Sequence, residues 1–186
     1  MTLKAKTPHN GYRESFGDTV LEEMAGNALV SIATPRGGAQ ALQSAIQEAY
    51  GCALPVPGST VASGDGVIRL LGLQQDQVFA LFAYAGDKAV AEIRNALGDS
   101  GYYTDQSDSW AMLRLSGEAA LPALERICPL DLDGDAFPIG SVARTVMEHM
   151  GVIVLREGTD AFTLMAARSS AANFLHAVEQ SVRNVT

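Results

Sequence analysis

The run Val78-Phe79-Ala80-Leu81-Phe82 limits the fold of this chain more than any other stretch. It offers no polar residue to solvent, so a strand made from it has to be covered on both faces. Leu73-Gln74-Gln75-Asp76 stands before it as a turn, and residues 67–71 read as the preceding strand. Residues 27–34 form another strand, stopped by Pro35. Gly37 and Gly38 then lead into a helix in which Leu42, Ala45, Ile46, Ala49 and Tyr50 share one face, and Gly51 ends it. A second helix carries Val90, Ile93 and Leu97 as its apolar stripe, with Asp87 as its expected cap and Gly98 at its end. Tyr102-Tyr103-Thr104 supplies one more strand. The order over residues 28–105 is βαββαβ, a ferredoxin-like split plait with helices on one face of an antiparallel sheet.

The second half repeats the theme. Residues 110–115 read as a strand with Ser116 as a cap, and Leu121, Leu124 and Ile127 fall on one helical face. Pro122 either kinks that helix or lies in its first turn, and Pro129 terminates it. Strands follow at residues 143–149, 152–156 and 161–166, then a helix over about residues 169–182, giving βαβββα. The expected fold class is α+β: two related units of antiparallel sheet with helices packed on them, without a residue-level repeat. Residues 1–26 are polar and aperiodic and are expected to form an amino-terminal arm, flexible or docked to a partner. Residues 27–105 make the first unit and 106–186 the second. Residues 51–64 hold no charge. A loop of that kind packs on its own domain or docks to a neighbour.

A net charge of −8 with scattered basic residues argues against nucleic acid, which calls for a basic face. No apolar run approaches the ~20 residues of a membrane span, and residues 1–15 have no apolar core for a secretory signal. Cys52 and Cys128 form no C-x-x-C pair and are expected as free thiols in a reducing cytoplasm. Charged residues make up 18% of the chain, below the usual share of about 25%, which fits a surface partly covered by another chain.

Groups for self-sufficient chemistry are scarce. There is no G-x-S-x-G elbow for a nucleophilic serine. The three histidines are scattered: His9 in the arm, His149 at a strand end, and His176 off the apolar stripe of the last helix. Two cysteines and three scattered histidines do not make a four-ligand zinc site. Asp131-Leu132-Asp133-Gly134-Asp135 suggests a calcium loop, but the sixth and twelfth positions are Ala136 and Val142 in place of Gly and Glu, so a solvated acidic turn is expected. Asp105 and Asp108 form a second, similar pair. No G-x-G-x-x-G stands between a strand and a helix for a dinucleotide.

From Asp105-Gln106-Ser107-Asp108-Ser109 onward the chain resembles the gamma subunit family of heterotetrameric sarcosine oxidase. The resemblance continues through Leu113-Arg114-Leu115-Ser116-Gly117, Cys128-Pro129-Leu130-Asp131-Leu132, Phe137-Pro138 with Gly140-Ser141-Val142-Ala143, Asp160-Ala161-Phe162 and Arg168-Ser169. Gly51, Leu54-Pro55 and Pro57-Gly58 fit as well, and the likeness covers roughly residues 20–182. At Leu70-Leu71-Gly72-Leu73-Gln74 the chain departs from it, where a Trp and a Gly-Pro would be expected.

The resemblance implies a fold related to the folate-binding domains of aminomethyltransferases and of the tRNA-modifying GTPase. It implies alpha, beta and delta subunits as partners, in a complex that oxidises sarcosine to glycine. FAD, FMN, NAD, zinc and tetrahydrofolate would sit on those other subunits. The chain itself is then expected to hold no catalytic, cofactor or metal residue. Trp110, Gly117, Pro129, Phe137, Pro138 and Gly140 would set backbone path and packing, and the isolated chain could form a homo-oligomer. The alternative is a stand-alone folate-binding protein, with Asp105 and Glu148 as the carboxylates facing the pterin.

Overall fold

A computed structural model describes residues 6–186. Close contacts divide the chain into two units: Gly26–Asp108, and Met1–Ala25 together with Ser109–Thr186.

The described chain enters a hairpin of β1 (Arg13–Phe16) and β2 (Thr19–Glu23), turned at Gly17. The Gly26–Asp108 unit then contains β3 (Asn27–Ala33), α1 (Ala39–Tyr50), β4 (Thr60–Ala62), β5 (Ile68–Gln74), β6 (Gln77–Ala83), α2 (Ala89–Leu97) and β7 (Tyr102–Asp105). Its antiparallel sheet runs β4-β5-β6-β3-β7. The apolar run lies in β6, inside the sheet. Val78, Ala80 and Phe82 pack with Leu42 and Ile46 of α1 and Ile93 of α2, while Phe79 and Leu81 are buried on the opposite face. The plait gains one short strand, β4, from the uncharged loop. The loop closes on the sheet at Gly72, where a Cβ would stand 2.3 Å from the Val56 carbonyl oxygen. Asp87 does not cap α2, which starts after Lys88 without a side-chain cap.

The other unit continues with β8 (Trp110–Ser116), α3 (Ala120–Glu125), β9 (Val142–Met147), β10 (Met150–Gly158), β11 (Ala161–Ala167) and α4 (Ala171–Arg183). Its sheet runs β1-β2-β8-β11-β10-β9. Leu113, Leu115, Val154, Phe162 and Leu164 meet Leu124 of α3 and Phe174 and Val178 of α4.

The two sheets share a topology. The order β7-β3-β6-β5-β4 of one maps onto β2-β8-β11-β10-β9 of the other. The place beside the first strand is held by β7 in one unit and by β2 of the amino-terminal hairpin in the other. Here the structure corrects the expected arm. Residues 13–23 are two strands, and Leu21 is fully buried beside Leu115. β8 has seven residues, and β2 satisfies the edge it would otherwise expose. The hairpin buries only Phe16, Thr19 and Leu21, too few apolar positions for a period to be read. Residues 1–5 of the expected arm lie outside the described residues.

Candidate functional site

The stretch with most sequence character, from Trp110 to Gly140, is built on backbone geometry. β8 opens at Trp110, whose half-buried ring lies 5.8 Å from the Arg144 guanidinium. β8 ends at Ser116, which stays in the strand and does not cap α3. Gly117 follows at φ +116°, and a Cβ there would stand 2.4 Å from the Asp18 carbonyl oxygen. The strand-to-helix turn and the hairpin turn therefore meet at a point only glycine fits. α3 begins at Ala120, so Pro122 sits in its first turn, where its missing N–H costs no helical bond. The helix stops at Glu125, before Pro129 is reached.

The acidic loop that follows is shaped by its own carboxylates. Asp131 Oδ1 accepts the Asp133 N–H at 3.0 Å, and Asp133 Oδ1 accepts the Asp135 N–H at 2.9 Å. These are turns in which an aspartate stands in for main chain. Leu132 and Phe137 anchor the loop in the core, while Pro129, Pro138 and all three aspartates are exposed. Gly140, at φ +87°, makes a bulge opposite Arg156: the Gly140 N–H bonds the Arg156 oxygen, and the Arg156 N–H bonds the Ser141 oxygen.

The organiser of this loop is a residue that motif reasoning passed over. Arg156 ends the apolar run Val152–Leu155 yet is only 4% exposed. Its guanidinium donates to four main-chain carbonyls, those of Leu132, Phe137, Gly158 and Thr159, at 2.7 to 3.1 Å. It also stacks 5.3 Å from the Phe162 ring centre. The signal in the sequence was an arginine closing the four-residue apolar run Val152–Leu155.

The two carboxylates considered for a pterin fall in different units. Asp105 ends β7, exposed, and accepts the Ser107 N–H at 2.9 Å; Ser107 Oγ in turn accepts the Leu29 N–H at 3.1 Å. Glu148 lies in the β9–β10 turn. It and His149 adopt φ +46° and +66°, a left-handed pair without glycine. Glu148 also lines a surface cleft of about 340 Å³ with Arg126, His176, Gln180 and Asn184. His149 is thus in a turn, and His176 is exposed in that cleft.

His9, expected in a loose arm, is buried, and its Nε2 meets no hydrogen-bond partner among the described residues. Burial holds its imidazole below the usual 6.5, against the opposing pull of the Glu23 charge. Glu23 gathers this segment, accepting bonds from the Thr7 hydroxyl and from the N–H groups of His9 and Gly11. Burial alone would raise its carboxyl, but those donors and His9 together hold it below its ordinary value. Burial pushes the Cys52 and Cys128 thiols up, away from the reactive thiolate. Among the described residues, no group of three His, Cys, Asp or Glu side chains is placed to hold a metal ion, and no helix is long and apolar enough to cross a membrane.

Comparison with known proteins gives a consistent result. Residues 36–183 match the family model described as "Sarcosine oxidase, gamma subunit family". The sarcosine oxidase subunit gamma of Corynebacterium sp. (strain P-1) is 32% identical over 162 residues, covering 86% of this chain and 78% of that protein. The subunit gamma of an Arthrobacter species is 30% identical over 150 residues, covering 80% and 72%. Among solved structures, a chain of the heterotetrameric sarcosine oxidase from Corynebacterium sp. U-96 in complex with pyrrole 2-carboxylate superposes with a TM-score of 0.80 at 22% identity, covering 97% of this chain and 95% of that one. The glycine cleavage system aminomethyltransferase T of Bartonella henselae shares the fold over 94% of this chain and 56% of its own, with a TM-score of 0.65 at 13% identity. The chain belongs to the sarcosine oxidase gamma subunit family.

Proposed function

We propose that the chain is the gamma subunit of a heterotetrameric, flavin-dependent sarcosine oxidase and that it supports assembly of the complex without taking part in its chemistry. The complex converts sarcosine, oxygen and water to glycine, formaldehyde and hydrogen peroxide, or delivers the one-carbon unit as methylene-tetrahydrofolate when folate is present. Its partners are alpha, beta and delta subunits, which carry FAD, FMN, NAD, zinc and tetrahydrofolate. Two free, buried thiols fit a cytoplasmic setting.

The observation that carries this reading is the family match across residues 36–183. The use of polar groups supports the non-catalytic part. Asp105, Asp131 and Asp133 accept main-chain N–H groups, and Arg156 donates to main-chain carbonyls, so each is engaged in holding backbone.

Co-expression with the alpha, beta and delta chains tests the proposal. Flavin-bearing chains should co-purify with this one, while the isolated chain should be colourless. Tetrahydrofolate titration of the isolated chain separates the alternative: micromolar or tighter binding by this chain alone overturns the purely structural role.

A further inference from the structure

Among the described residues four strands end the two sheets, and three of them are blunted. β4 has three residues. β7 has four and ends on Asp105. β1 has four, and its Arg13 and Glu14 are tied to Glu22 and Arg183. Short length and charge are the usual ways a protein keeps a sheet edge from pairing with another chain.

β9 has neither. It is six residues long, holds no Lys or Pro, and pairs with β10 without interruption from Val142 to Met147. Arg144 is the one charge among residues 136–147, and its guanidinium turns toward Trp110. Two of the large exposed apolar side chains of the molecule lie along this edge, Ile139 at 62% and Val146 at 53% exposure. The Arg156 N–H to Ser141 oxygen bond sets the alternation of the ladder. Ala143, Thr145 and Met147 direct their main-chain groups to β10, and Val142 and Val146 direct theirs outward. Among the described residues no further strand pairs on that outer side.

We infer that β9 is a docking edge that accepts an extended, uncharged segment of a different chain as an added strand. The inference rests on the gamma-subunit reading above, which supplies the different chain. A segment of about six residues, roughly 20 Å long, matches the edge. Main-chain bonds at Val142 and Val146 would hold it, with apolar contacts to Val146 and Ile139 at the flank. Charge argues for this occupant over a second copy. Each chain carries −8, so self-pairing brings like charges together, and an antiparallel register centred on Arg144 sets that side chain against itself.

The test uses this chain co-expressed with the alpha, beta and delta chains, comparing wild type with Val146→Pro and Val146→Lys. Proline at Val146 removes an outward N–H and spares the β9–β10 ladder. Lysine places a charge at the edge. Circular dichroism and unfolding midpoints establish that each variant is folded, and the lysine variant decides if the proline variant is not. The expected result is a loss of co-purified partner of about ten-fold or more in the variants, with slowed amide exchange at Val142 and Val146 in the wild-type complex. Assembly of the folded variants at wild-type yield overturns the docking edge and leaves the gamma-subunit reading standing. Failure of wild type to assemble with the flavin-bearing chains overturns that reading, and with it the occupant named here. A dimer of the isolated chain that Val146→Pro abolishes also overturns the proposal, in favour of a second copy.

Discussion

Arg156 Nη1 donates to the Leu132 oxygen at 2.8 Å and to the Phe137 oxygen at 3.1 Å, closing the ends of the acidic loop on one buried guanidinium. Removing that group leaves main-chain carbonyls unsatisfied where water is excluded. Arg156→Met should therefore lower stability by about 3 kcal/mol, the scale of a buried charged hydrogen-bonding group lost from one side. Arg156→Lys keeps the charge but not the fork and should recover only part. Urea unfolding midpoints measure both. A midpoint for Arg156→Met within error of wild type would show that the loop is held by Leu132 and Phe137 alone.

The fold was legible where one pattern repeats over many residues. β6 announced itself by its apolar run, α1 and α2 by their stripes, and Gly51 and Gly98 by their places at helix ends. The amino-terminal hairpin was not legible, because what stabilises it is the edge of β8, nearly a hundred residues away in sequence, and a hairpin that buries three side chains over two strands has no readable period. Arg156 was hidden for a related reason: its partners are carbonyls, which every residue has. Asp131 and Asp133 do serve turns, as the composition of their loop suggests. Which edge lies open depends on the order of strands in the sheet, and no local motif encodes that order.

Trp110→Ala and Asp133→Asn form a contrasting pair. Trp110 is half-buried at the start of β8 and stacks with Arg144, so its loss should cost about 2 kcal/mol, below the range for a fully buried aromatic. Asp133 is exposed, and Asn keeps the Oδ1 that accepts the Asp135 N–H, so that change should stay within about 0.5 kcal/mol. Both are read by thermal and urea unfolding. Loss of turnover in an intact complex carrying Asp133→Asn would mean that the acidic loop has a chemical role after all.

Leu21→Ala and Gly117→Ala ask whether the amino-terminal hairpin belongs to the folded body. Leu21 is fully buried opposite Leu115, and its truncation should cost about 3 kcal/mol, as for other core leucines. Gly117→Ala adds both a strained φ and a Cβ pressed on the Asp18 oxygen, for about 2 kcal/mol. A freely moving arm predicts no effect from either. Limited proteolysis gives a second readout, since both variants should become cleavable between residues 13 and 23.

Acid should weaken the amino-terminal segment first. His9 and Glu23 both have folded pKa values below their ordinary 6.5 and 4.5, so in each case the unfolded chain binds its proton at higher pH. Stability then falls as pH drops, first below 6.5 through the folded value of His9 and then below 4.5 through that of Glu23. The Glu23 share is full above its unfolded pKa. Replacing Glu23 with Gln should cost about 1 kcal/mol at neutral pH, partial exposure keeping it at the low end for a charged acceptor. The gap between wild type and Glu23→Gln, measured from unfolding midpoints, should widen slightly below pH 6.5, where loss of the Glu23 charge depresses the His9 pKa further, and shrink as pH falls below 4.5. A gap that stays constant to pH 3 would show that the carboxylate charge does not hold Thr7, His9 and Gly11 in place.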